Sequence, residues 1–526
     1  MWDNWLKYYH TVSYLKPIQI LYQIRNKIKG PAQLSKRIPS NLTCRQLQFE
    51  PSISSRNLWI GDQTFSFLNI EKKYDSKINW NDEGNGKLWA YNLNYFEFLL
   101  DENLPVIAAK ELMLDFASRL ENNHVGLEPY PLSLRLINWI KWMSLHSISD
   151  QKLCESIFQQ THLLRKNIEY HLLGNHVLEN GFALLFAGYF LGDESIIDQA
   201  TRIVEKELRR QILPDGGHAE LSPMYHSLML YRTLDCINLM QSNQADNDEL
   251  LSLLKTRAGA MLSWIKEISF SENHLPDVND STPNIAPKAS ELFSYAERLK
   301  IKYKRIPLAE SGYRKIITPS FQLFIDVGPI GLEYQPGHAH ADTFNFILYT
   351  NERTYISNSS TSTYEEGEIR NYERGTSAHN TVLVSNENSS DVWKSFRVGR
   401  RARVVKLEET SNRITACHNG YKHLGIYHNR TFEWNDSEIT IMDELVGNKL
   451  KAAKAYFHFP SGIQLSSGIN SYDTQDTMLS IAFEGNNSIK LLPYFQGVGF
   501  NKRKEAIKIE VPFNTKLITR ITITTK

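Results

Sequence analysis

Cysteine is scarce in this sequence. Four residues, Cys44, Cys154, Cys236 and Cys417, are spread over 526 positions with no C-x-x-C pair. That spacing excludes a thiolate zinc knuckle and a dense disulfide framework, and it fits a reducing compartment. Net charge is missing too, because 59 Lys and Arg face 58 Asp and Glu. No whole-chain attraction to nucleic acid or membrane follows, so an acidic ligand must be met by a local basic site. No stretch reaches the ~20 apolar residues of a membrane-spanning helix. The opening Met1-Trp-Asp-Asn-Trp-Leu-Lys does not read as a secretory signal, because Asp3, Lys7, His10 and Lys16 interrupt any apolar run. The expected location is therefore cytoplasmic, with periplasmic as the alternative. Internal repeats and low-complexity tracts are absent.

What is present is an ordinary globular composition, 41% hydrophobic, with length for two to four domains. The 25 Tyr, 24 Phe and 10 Trp serve mostly as core, and some suit a sugar-binding cleft. Residues 1–45 form a basic, partly amphipathic extension, with Leu15, Ile18, Ile20, Leu21 and Ile24 followed by Lys27, Lys29, Lys36 and Arg37. A helix packed on the body is the plainer reading, and a membrane-surface or partner contact is the other.

From about residue 90 to 305 apolar residues recur at helical spacing. This holds from Asn103 to Ala117, Ser133 to Ser144, His176 to Leu191, Glu194 to Leu213, Tyr225 to Met240 and Glu249 to Ile268. Tight connections make the helices cover one another, as in a bundle or a toroid of hairpins. Beyond Pro307–Arg314 short β-branched and aromatic runs take over. Examples are Phe321–Val327, Phe344–Tyr349, Arg401–Leu407, Ile439–Leu445, Ile507–Val511 and Leu517–Ile523. Their even spacing predicts an antiparallel β-sandwich. The expected division is 1–45, an α-helical domain over 46–308, and a β-domain over 309–526.

Four polar segments stand out. In Gly174-Asn-His-Val-Leu-Glu, Asn175 opens a helix and Glu179 shares the face of His176; helix capping accounts for this as well as function does. The loop Leu213-Pro-Asp-Gly-Gly-His-Ala-Glu carries His218 and Glu220 and ends in Tyr225-His226. Few packing reasons make a loop so rich in titratable groups. In Gln335-Pro-Gly-His-Ala-His-Ala-Asp, period two puts His338, His340 and Asp342 on one face, suited to a metal or an acid–base cluster. Last, Arg370-Asn-Tyr-Glu-Arg-Gly-Thr-Ser-Ala-His-Asn-Thr-Val offers Arg370, Arg374 and His379, either a solvated turn or a fork for a carboxylate or sulfate.

Taken in order, these segments resemble the heparinase II/III family of polysaccharide lyases and related alginate lyases. Pro129-Tyr-Pro-Leu-Ser-Leu-Arg-Leu-Ile-Asn-Trp-Ile and Phe396-Arg-Val-Gly-Arg-Arg add to the likeness. The resemblance implies an α+β multidomain fold, an N-terminal (α/α) toroid followed by a C-terminal antiparallel β-sandwich. It implies β-elimination on a uronic-acid polysaccharide, with a link to capsule or lipopolysaccharide metabolism as the expected setting. By similarity Asn175 and His176 grip the uronate carboxylate, and Tyr225 and His338 move the protons. Arg374 binds the uronate or lowers the tyrosine pKa. Glu179 tunes the subsite, His226 orients Tyr225, and Arg370, Arg135 and Trp139 join the substrate-binding set. Some relatives hold a structural zinc, whose matching positions are His340, His379 and Asn358. Asn in place of the usual Asp is a poor zinc ligand, so no cofactor is required by this reading.

Two other functions compete. A non-catalytic glycan-binding relative would keep the cleft without turnover. A glycoside hydrolase would need paired carboxylates, for which Glu179 and Glu220 are candidates, but that leaves Tyr225 and the His-x-His unexplained. The expected partner is an anionic polysaccharide, with no nucleic acid and no transmembrane segment.

Overall fold

The structure, a computed structural model, describes residues 2–30, 33–35, 37–55, 58–244, 247–447, 451–476 and 478–524. Lys36, part of the basic extension, lies outside these residues. Two helices come first, α1 (Trp2–Ser13) and α2 (Pro17–Lys29), then a small antiparallel sheet of β1 (Trp59–Gly61), β2 (Thr64–Phe67) and β3 (Ile70–Lys73). That sheet was not foreseen in the helical half. Its Phe65 and Phe67 point inward against Phe98 and Trp89 and close one end of the helical core.

Among the described residues nine further α-helices follow before the strand half: α3 (Lys87–Tyr95), α4 (Val106–Ser118), α5 (Pro129–Leu145), α6 (Gln151–Lys166), α7 (Asn175–Leu191), α8 (Glu194–Gln211), α9 (Pro223–Ser242), α10 (Asp248–Ile268) and α11 (Ala289–Arg298). The sequence sorts them into two rows. In α5, α7 and α9 nearly every residue is buried, whereas α6 and α8 bury one stripe and send charges outward. A helix that is apolar all round belongs inside. Accordingly α3, α5, α7, α9 and α11 lie side by side, and α4, α6, α8 and α10 cover them. The α7–α8 packing is close enough that a Cβ on Gly188 would stand 2.7 Å from Ile197.

The strand half opens with β4 (Tyr313–Ile317), β5 (Gln322–Asp326), β6 (Phe346–Thr350) and β7 (Arg353–Ile356), an antiparallel sheet in sequence order. After the short helix α12 (Glu368–Arg374) comes β8 (Val382–Val384), then a two-residue ribbon, β9 (Val392–Trp393) with β10 (Arg397–Val398). The remaining strands are β11 (Val404–Thr410), β12 (Arg413–His418), β13 (Ile426–Trp434), β14 (Glu438–Gly447), β15 (Ala453–Phe459), β16 (Leu465–Ser467), β17 (Ser471–Thr474), β18 (Leu479–Asn486), β19 (Lys490–Gly499) and β20 (Lys502–Ile523). They and β8 make one antiparallel sheet built around β20. The two runs read as separate strands, Ile507–Val511 and Leu517–Ile523, are one strand. Its first half pairs with β15 and β19, its second with β14 and β18. Asn514-Thr-Lys, between the two runs, is where the strand changes partners.

Candidate active site

Five segments, far apart in sequence, meet where the helical rows face the strand half: those around residues 175, 220, 280, 338 and 370. The first is the start of α7. Gly174 takes φ +60°, and a Cβ there would stand 2.5 Å from Glu220 Oε1, so only glycine lets the chain turn this tightly. Asn175 is not the cap that sequence suggested: Gly174 holds that place, without a side-chain bond. Instead the Asn175 N–H donates to Glu220 Oε1 (2.8 Å), and its buried side-chain Oδ1 has no partner. One residue on, His176 Nδ1 lies 3.1 Å from Glu169 Oε1, its ring beside Tyr130. Burial disfavours its charged form, but the Glu169 carboxylate outweighs that and holds the imidazole pKa above its usual value.

The second segment is the polar loop before α9. Ser222 caps that helix by accepting from the Tyr225 N–H. The Tyr225 ring stacks on His338 with centroids 3.7 Å apart, and its hydroxyl accepts from Tyr364 at 3.3 Å. Burial raises the phenol pKa, the carboxylates of Asp280 and Glu220 push the same way, and the Tyr364 bond and the Arg370 charge oppose them. Tyr225 is therefore a neutral phenol at rest.

The third segment was not foreseen. Asp280, in the loop Pro276-Asp-Val-Asn-Asp, is fully buried and joins the others. His338 Nδ1 meets Asp280 Oδ2 at 3.0 Å, and His340 Nε2 meets Oδ1 at 2.9 Å. The Arg370 guanidinium grips both oxygens, with Nη2 2.7 Å from Oδ2. Burial alone would raise the Asp280 pKa; Arg370 and the two imidazoles reverse this and hold it well below the carboxylate range. An ionised carboxylate only accepts. Hence Nδ1 of His338 and Nε2 of His340 carry protons, which leaves Nε2 as the outward nitrogen of His338. That nitrogen looks toward Glu220 Oε2, 3.5 Å away. The signal in the sequence was a polar loop, Asp277 to Thr282, between helical runs, which nothing distinguished from a surface turn.

Several sequence expectations need correction. Asp342 does not complete the His338–His340 face: the segment is a loop rather than a strand, and Asp342 is buried near Asp326. Arg370 spends its fork on Asp280, gives Nε to the Ser395 carbonyl and is fully buried, so it is not exposed to a substrate. Arg374 donates to the carbonyls of Ala339, Lys394 and Arg397; it binds backbone, and the cation that acts on Tyr225 is Arg370. Arg135 is likewise consumed by Gln160, Asn94 and Gly126 in the helical core, where Trp139 packs on Phe96 and Phe116. His226 is buried against Trp264 and accepts from the His218 N–H, tying the polar loop to α9.

Beside Tyr225 opens a cleft of about 200 Å³. Tyr95, Tyr130, Tyr231 and Leu228 line its helical side, and Tyr364 and Phe500 reach in from the strand half. Among the described residues lining it, Arg232 is the one cation, against Glu97, Glu179 and Glu291. Arg232 Nε lies 3.9 Å from Glu179 Oε1. Burial, opposed by Arg232, pushes the Glu179 pKa up to about 7.

The zinc positions offer two buried imidazoles, with ring centroids 5.2 Å apart. His340 Nδ1 and both nitrogens of His379 lack partners. Asn358 adds a neutral amide whose oxygen already accepts from the Ser360 N–H. Among the described residues no group of three His, Cys, Asp or Glu is placed to hold a metal. This neutral donor set, with the charges of Arg370 and Arg374 acting on His340, does not fit a structural zinc.

A helical half and a strand half that converge on a Tyr–His–Asp cluster define a two-part protein with its candidate site at the junction. The chain belongs to the heparinase II/III family. Residues 138–302 match the heparinase II/III N-terminus and residues 301–524 the heparinase II/III-like C-terminal region. A heparin-sulfate lyase of Bacteroides stercoris is 24% identical over 397 residues, 66% of this chain and 55% of that protein. The chain thus spans about half the length of that relative. The crystal structure of a heparinase III aligns with TM-score 0.67 at 17% identity, over 86% of this chain and 80% of that one. The heparan sulfate lyase HepC of Pedobacter heparinus aligns with TM-score 0.56 at 18% identity, over 88% and 82%.

Proposed function

We propose that this protein is a polysaccharide lyase that cleaves a uronic-acid-containing polysaccharide by β-elimination. The observation that carries the reading is the Tyr225 phenol stacked on His338, whose proton-accepting nitrogen is set by ionised Asp280. Elimination at a 4-linked uronate requires loss of the C5 proton and protonation of the leaving oxygen. The adjacent carboxylate must be neutralised, because negative charge builds on it. In this reading the Asn175 amide donates through Nδ2 to that carboxylate, beside His176, whose charged form Glu169 favours. Tyr225 rests protonated and so can donate to the leaving oxygen unprimed; His338 Nε2 takes the C5 proton. The architecture we infer is that of the family, a toroid of the two helix rows over about 46–308 and a sandwich turned about β20 over 309–526, after a 1–45 extension.

The bare site fits one kind of anionic glycan better than another. A single cleft arginine against three glutamates suits a sparsely charged uronate and repels a densely sulfated chain. The test is ultraviolet absorbance from the new conjugated double bond, measured on unsulfated uronate polymers and on heparin. Appearance of the band with the former supports both parts. Chain shortening without it means hydrolysis, and an intact chain on every polymer would overturn catalysis.

Glu179 gives this site a pH dependence. With a pKa of about 7 it is mostly neutral at pH 6 and ionised at pH 8. Neutral, it leaves Asp235, 3.3 Å from Arg232 Nη1, as the one carboxylate paired with that guanidinium; ionised, it adds a second competitor to the sugar carboxylate. KM is therefore expected to rise ~10-fold, about 1.4 kcal/mol, between pH 6 and 8. Glu179→Gln should hold the low-pH value throughout. A slope that survives the substitution assigns the titration elsewhere.

For the paired imidazoles we propose that a carboxylate in place of Asn358 would offset the neutral donor set and let zinc bind. Asn358→Asp is expected to raise zinc retained after dialysis from trace to roughly stoichiometric, measured by plasma mass spectrometry. Equal retention by the parent protein would refute this.

A further inference from the structure

An amphipathic helix normally turns its apolar stripe to the core. The first two helices do the reverse. On α1, Trp5, Tyr8, Tyr9 and Val12 fall at i, i+3, i+4 and i+7, one stripe, and all are exposed, Trp5 by 75% and Tyr9 by 66%. On α2, Ile20, Leu21, Ile24 and Ile28 share a second outward face, with Ile28 81% exposed. Both helices dock by the side away from these stripes, with Ile18 against the helical core and Tyr22 edge-on to Tyr170, while Tyr8 at the margin of the α1 stripe also meets Trp393. Thr11 sits between Trp393 Nε1, which donates to it at 3.2 Å, and the Val398 carbonyl at 3.4 Å, while the Arg401 guanidinium lies 3.7 Å over the Tyr14 ring. Gln19 donates from Nε2 to the Leu172 and Tyr334 carbonyls at 3.1 and 3.0 Å. The outward apolar faces are thus fixed by specific bonds on the opposite side and are not fraying ends.

Charge says what covers them. Residues 1–45 hold eight Lys or Arg against one acid, Asp3, leaving 51 against 57 in the remainder. Lys27 and Lys29 stand exposed at the end of α2 beside Ile28. A second copy meeting this face would bring two basic segments together. Exposed Trp and Tyr, branched aliphatics and flanking Lys and Arg are the chemistry of an anionic lipid surface, where rings and alkyl groups enter the headgroup boundary and ammonium groups meet phosphates.

We propose that α1 and α2 form an interfacial element by which the protein binds a bilayer containing anionic lipid. It lies on the surface: no helix among the described residues is long and apolar enough to cross. The inference is independent of the catalytic reading.

The test is co-sedimentation of the full chain with vesicles of phosphatidylcholine alone or mixed with phosphatidylglycerol. Binding is expected on the mixed vesicles, weakening about fivefold for each basic residue removed and with added salt. Ile24→Ser with Ile28→Ser, and separately Lys27→Glu with Lys29→Glu, should each cut binding at least tenfold with an unchanged melting temperature. No sedimentation with any vesicle, or sedimentation indifferent to both double variants, overturns the proposal. So does light scattering that finds a dimer dissolved by these same variants, which would make the occupant a second copy.

Discussion

Tyr225→Phe is expected to lower kcat by ~10²–10⁴-fold, the usual worth of a positioned proton donor, with little change in KM. The substitution removes one oxygen and keeps the ring. The ring does the packing, stacked on His338 at 3.7 Å, so the fold and cleft should survive. The lost hydroxyl has one protein contact, the 3.3 Å bond from Tyr364, whose own hydroxyl can turn elsewhere. Stability should change by less than ~1 kcal/mol. The pH profile adds a second reading. Burial holds the phenol pKa above its ordinary value, so an acid role predicts no loss of rate until strongly alkaline pH. A parent enzyme that gains rate as pH rises toward 10 would instead make ionised Tyr225 the base. Equal turnover by parent and Phe variant would remove Tyr225 from the chemistry altogether.

The sequence made some of this legible and hid the rest for physical reasons. Long helices such as α7 and α10 announce themselves by period, and their ends fall within a few residues of the expected ones. Strand β20 does not, because Asn514-Thr-Lys carries turn chemistry while the backbone stays extended between two sets of partners. At the site, Tyr225 and His338 were singled out as titratable groups in polar loops, and the structure stacks them. Arg370 and Arg374 were assigned to the ligand because arginine forks suit acids. Composition cannot tell that one fork is filled by Asp280 and the other by backbone carbonyls. Asp280 itself was passed over: it lies 58 residues from His338, and only the fold brings them together. Arg232 was hidden differently. It sits in a helix buried on almost every side, where an arginine reads as core, and only the cleft beside it gives it a ligand to meet.

Asp280→Asn should be the most damaging conservative change in the molecule. Asp280 presents two acceptor oxygens to five donors: His338 Nδ1 and Arg370 Nη2 on one, and His340 Nε2, Arg370 Nη1 and, at 3.3 Å, Thr361 Oγ1 on the other. Asparagine keeps one oxygen and turns an NH₂ toward the other set. Wherever the amide points, one imidazole then meets a donor with a donor and must shift its proton to the far nitrogen. If that imidazole is His338, Nε2 becomes protonated and can no longer accept the C5 proton. The guanidinium of Arg370, fully buried, is left without a counter-charge, and breaking such a buried pair costs ~3–5 kcal/mol. The expected result is a melting temperature lowered by many degrees together with kcat reduced at least ~10²-fold below whatever fraction remains folded. Activity must be expressed per folded molecule, from melting curves and rates taken at one temperature. Pairing Asp280→Asn with Arg370→Met separates the two effects. Removing the stranded charge should restore much of the stability, while the rate stays low because the His338 tautomer is still unguided. Recovery of both would mean that Asp280 serves only to neutralise Arg370, and that His338 needs no carboxylate to do its work.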